Sequence, residues 1–72
     1  MPRTTEELVR LAEAGGGLII DASTRSTVEL VEIATAASKT EANVHLVNVS
    51  MKTTEELEKI ARAGKGVVSF EV

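Results

Sequence analysis

The apolar residues of this chain follow two patterns that alternate along its length. In three stretches they recur at the i, i+3, i+4 spacing of a single helical stripe: Leu8, Leu11 and Ala12; Leu30, Ile33 and Ala34; Leu57, Ile60 and Ala61. Ahead of each stripe stands a hydroxyl residue with a glutamate three positions on: Thr4 and Glu7, Ser26 and Glu29, Thr53 and Glu56. This is the capping box, in which the hydroxyl accepts from an early helix N–H and the carboxylate turns back to the cap's own N–H. The pattern predicts helices over about Thr5–Ala14, Thr27–Ser38 and Thr54–Ala63, with Gly15 and Gly64 as stops.

Between and after the helices lie short β-rich runs, Gly17–Asp21, Asn43–Val49 and Gly66–Val72. In the last, Val68, Phe70 and Val72 alternate with Val67, Ser69 and Glu71, as a half-buried strand should. Strands joined through single helices pair in parallel with right-handed connections, so the expected fold class is α/β in the order α-β-α-β-α-β.

The elements also repeat as a unit. Thr53–Gly64 is nearly verbatim Thr4–Gly15 and loosely Ser26–Ala37, and the common glutamates stand 29−7 = 22 and 56−29 = 27 residues apart. Similar repeats occupy similar environments, which favours strand order 1-2-3 with all helices on one face; order 2-1-3, with helices on both faces, would instead bury Leu18-Ile19-Ile20 in the middle. The extra length of the middle repeat is assigned to an exposed loop, Lys39-Thr40-Glu41-Ala42. Residues 1–72 read as one domain with repeats at about 1–22, 23–49 and 50–72. In period and layout the chain resembles leucine-rich-repeat architecture, but it lacks that family's consensus and no function follows.

Length and composition narrow the function more than they specify it. Seventy-two residues bury only about 60% of the unfolded surface, so stability needs packing or partners. With no Cys and one His, disulfides and Cys/His metal sites are excluded, and no cofactor is expected. A net charge of −3 and a single aromatic residue, Phe70, argue against nucleic acid. No signal-peptide pattern is present, and Leu18-Ile19-Ile20 is too short to span a bilayer, so the expectation is a cytoplasmic protein without a membrane partner.

Candidate chemistry gathers at the strand-to-helix turns. Asp21–Thr27 and Asn48–Thr54 match position by position, and Pro2-Arg3-Thr4-Thr5 is a truncated copy. Each puts a basic residue and hydroxyls beside free helix N–H groups at the carboxyl edge of the sheet, which suits a small anion held by Ser23, Thr24, Arg25, Ser26, Lys52 and Thr53. The plainer account pairs each cation with a nearby carboxylate and makes the hydroxyls caps. Gly15-Gly16-Gly17 follows a helix and precedes a strand, the reverse of a phosphate-cradling loop. His45 has no partner Ser, Cys or His at a recognisable spacing, and Asp21 and Asn48 read as turn-stabilising strand ends, so no catalytic residue is assigned.

The expected role is therefore a non-enzymatic structural or interaction module that associates with itself, as a homodimer or dimer of dimers, with Val67, Ser69 and Glu71 as interface candidates. An opening helix without a preceding strand and a closing strand without a following helix give it complementary ends. The alternatives are an anion or phosphate-ligand binder at the turns and an engineered chain without biological function; regular repeats and capping boxes suit a designed sequence, the triple glycine and irregular middle repeat do not.

Overall fold

The computed structural model describes residues 4–72, which leaves Pro2 and Arg3 of the truncated turn outside the described residues. The elements are α1 (Thr5–Glu13), β1 (Leu18–Asp21), a short 3-10 turn (Ala22–Thr24), α2 (Thr27–Thr40), β2 (Val44–Val47), α3 (Thr54–Gly64) and β3 (Val68–Phe70). All three helices begin with the complete capping box, Thr4, Ser26 and Thr53 each accepting from the backbone N–H of the glutamate that returns to the cap.

The strands form one parallel sheet in the order β1-β2-β3, in register Leu18 to Val44 to Val68. The molecule measures 18 Å in its shortest dimension. One sheet and one helix layer, each about 10 Å thick, account for that, whereas a second helix layer would add about 10 Å more. Alternation within the strands shows the same one-sided cover: Ile20, Val44 and Leu46 are buried beneath the helices, while Ile19 between them is 79% exposed. Leu30, Ile33, Leu46, Ile60 and Val44 make the centre of the core.

Several details differ from the sequence expectation. The middle repeat has no loop insertion; its five additional residues extend the helix, since α2 has 14 residues and α1 has 9, and 14−9 = 5. Residues 39–40 continue the helix although both are exposed, the Thr40 hydroxyl donating to the Ala12 carbonyl at 2.6 Å and tying the last turn of α2 to the end of α1. Glu41 then stops the helix in the left-handed region, φ 58°, and Ala42 is buried.

Gly64 is the last helical residue and is buried; Lys65, at φ 49°, ends the helix. Gly64 is required by space, for a Cβ there would run into the Val68 side chain and lie 3.7 Å from the Ala34 methyl. Gly15, at φ 92°, does end α1, in a conformation open chiefly to glycine. The strands are shorter than expected: β2 ends before Asn48, which turns left-handed at φ 56°, and Val72 lies beyond β3, fully exposed.

Candidate functional site

The strand-to-helix turns meet at one edge of the molecule, as parallel α/β topology requires. In the first complete turn, Asp21 Oδ1 accepts from Ser23 N at 2.9 Å and Ser23 Oγ at 2.6 Å, and Thr24 Oγ1 donates to the Asp21 carbonyl at 3.1 Å. The Asp21 carboxyl is held below its usual range, foremost by the Ser23 hydroxyl, then by the Ser23 N–H and the Asn48 side chain. Ser23 and Thr24 thus fold their own turn.

The next residues link neighbouring helices. Thr5 Oγ1 donates to Glu29 Oε2 at 2.9 Å and accepts from Arg25 Nη1 at 2.8 Å. One repeat later, Thr27 Oγ1 donates to Glu56 Oε2 at 3.1 Å, and Lys52 Nζ donates to the Arg25 carbonyl at 3.0 Å. Each glutamate therefore spends one oxygen on its own cap and the other on the first residue of the preceding helix. Glu29 and Glu56 are both held below the ordinary carboxylate range. The cap N–H of Ser26 or Thr53 is the largest cause and the Thr5 or Thr27 hydroxyl follows; burial opposes them, and the cap hydroxyl and then the Arg25 or Lys52 charge add smaller shares than that opposition.

This ladder answers the question posed by a cation at a helix N-terminus. Such a charge opposes the helix dipole unless something negative intervenes, and here Glu29 and Glu56 supply the negative group. The structure brings Arg25, Ser26, Lys52 and Thr53 of the proposed anion site to one edge, but their groups serve caps, carboxylates and a backbone carbonyl within the chain. An open cleft of about 580 Å³ lies beside them at the carboxyl ends of β2 and β3, lined by Asn48, Ser50, Lys52, Leu57 and Glu71 among others.

The uncovered sheet face carries a pair that sequence reasoning missed. Register sets His45 beside Ser69, with Nδ1 and Oγ 2.7 Å apart, the ring tautomer deciding which donates. In the sheet Ile19, His45 and Ser69 stand side by side, but aligning the repeats on their turns and helices matches Ile19 with Leu46 and Val68, so the pair is visible only in the register. A hydroxyl and an imidazole in contact have the first two parts of an activated nucleophile. The pair ties β2 to β3 across the sheet.

Of the interface candidates, Ser69 is exposed and engaged by His45, Glu71 is exposed at the cleft, and Val67 is half-buried against the core instead of standing on the bare face. Ile19 and Val47 both lie on that face. Among the described residues no group of three or more His, Cys, Asp or Glu could hold a metal ion, and no helix is long and apolar enough to cross a membrane. Comparisons with protein-family models, curated proteins and solved structures return no match.

Proposed function

We propose that this chain is a structural module whose role is association with further copies of itself, without catalysis or a cofactor. The observation that carries this reading is the pair of open strand edges: among the described residues β1 and β3 each pair on one side only, with β2 between them, and exposed Ile19 lies on one of these edge strands. An open edge offers a row of backbone donors and acceptors to another strand, and proteins that remain monomeric usually blunt it with charge, proline or a covering segment. Here β1 reads Leu-Ile-Ile-Asp and β3 reads Val-Ser-Phe, with a charge only at Asp21. The thin core of a 72-residue chain adds a reason to gain stability from a neighbour.

Association of folded chains makes thermal stability depend on protein concentration. The midpoint of unfolding should rise across about a hundredfold increase in concentration. A midpoint independent of concentration would argue for a self-sufficient monomer and against this reading.

A further inference from the structure

Equivalent positions of the three repeats are unequally buried, and the inequality has a direction. At the second stripe position, Ile33 and Ile60 are 0% exposed, whereas Leu11 is 43% exposed. At the first and third positions the deficit moves to the other end: Leu8, Leu30, Ala12 and Ala34 are buried, whereas Leu57 and Ala61 are only half-buried.

The helix surface explains this. Ile33 lies four residues after Glu29, so it shares the side of α2 that receives Thr5 of α1; Leu30 and Ala34 lie three and seven residues after Thr27, on the side that meets Glu56 of α3. Every helix thus has a receiving side, with its glutamate and second stripe residue, and a giving side, with its first threonine and the first and third stripe residues. The junction of a giving side with a receiving side is made twice inside the molecule. The receiving side of α1 and the giving side of α3 are the two halves of a third.

The backbone repeats the same step. Leu18 N donates to the Asn43 carbonyl at 2.9 Å, and Val44 N donates to the Val67 carbonyl at 2.9 Å. The next step in the series is Val68 N donating to the carbonyl at the position of Gly17. Among the described residues the Thr54 hydroxyl, counterpart of Thr5 and Thr27, makes no hydrogen bond.

We infer that a second copy of this chain docks end to end, its α1 and β1 continuing the helix layer and the sheet beyond α3 and β3. This rests on the self-association proposed above and gives it a geometry. Val68 pairs beside Leu18 of the second copy, Leu57 and Ala61 enclose its Leu11, and Thr54 donates to its Glu7. A carboxylate has about four lone-pair sites, so Glu7 accepts this bond alongside those it already makes. The contact is head-to-tail: it repeats into an open stack or closes into a ring according to the rotation per copy, in contrast to a two-fold dimer.

The test blocks one end at a time. Leu11→Arg puts a charge on the receiving side of α1, and Ala14→Arg does so on the same side at an exposed site that leaves the core untouched. Thr54→Glu sets a carboxylate against Glu7 of the incoming copy at an exposed first-turn position where an acid suits the helix. Light scattering, with circular dichroism to verify the fold, should find each variant monomeric alone and an equimolar mixture of Ala14→Arg with Thr54→Glu forming a one-to-one dimer and nothing larger. His45→Arg, in the middle strand and remote from both ends, should assemble like the parent. If end-blocked variants assemble like the parent while His45→Arg is monomeric, the sheet face is the contact: the end-to-end geometry is overturned and self-association stands. A mixture that fails to dimerise also overturns the geometry, and a parent that is monomeric throughout overturns both.

Discussion

Ile33→Ala should be among the most damaging single truncations of the helix layer, and its cost can be set against its own repeat. Ile33 is fully buried in the middle helix, on the side that faces α1 and within the core cluster. Truncating a buried Ile to Ala costs about 2–5 kcal/mol, from lost transfer energy and the cavity left behind. A domain of 72 residues has roughly 4–11 kcal/mol to lose, so the variant should retain at most a marginal fold. Leu11→Ala, at the equivalent position but 43% exposed, removes little more than half as much buried surface and leaves an open dent, for about 1 kcal/mol in the dissociated chain. Urea titration at a protein concentration low enough to suppress association reads both as midpoint shifts at constant slope. A cost for Ile33→Ala below about 1 kcal/mol, or no greater than that of Leu11→Ala, would refute the burial assigned to this repeat position.

Ser26→Ala and Thr53→Ala should each lower stability by about 1 kcal/mol in the same titration, and neutrality of both would misplace the helix starts. Asp21, Glu29 and Glu56 are held below their ordinary values when folded, so the unfolded chain takes up protons first as pH falls. Their stabilisation is complete above the ordinary carboxylate range and lost from about pH 5 downward; acid titration should show this slope, and Glu29→Gln with Glu56→Gln should flatten it. Phosphate should stabilise the protein no more than chloride at matched ionic strength, because Glu29 and Glu56 already sit where an anion would; a specific rise in the unfolding midpoint would revive the anion site at Arg25 and Lys52.

Element order and strand order were legible because the capping boxes and apolar stripes act locally and the repeat carries one environment to the next. The end of α2 was not. Ser38, Lys39 and Thr40 break the apolar stripe, and what holds them helical is a hydrogen bond from Thr40 to the distant carbonyl of Ala12, followed by a left-handed Glu41 that no glycine announces. Gly64 was misread for the converse reason: glycine is a common helix stop, but here the Val68 side chain stands where a Cβ would go. At the turns, the sequence marked Arg25 and Lys52 as needing a negative partner without showing that Glu29 and Glu56 each serve two helices at once. That sharing exists only once the helices stand side by side.

Self-association is tested most directly by the mass of the protein in solution, measured by light scattering through a dilution series across the micromolar range. The account predicts a mass above the 7.6 kDa of a single chain that falls towards it on dilution. A constant 7.6 kDa at every concentration would contradict it.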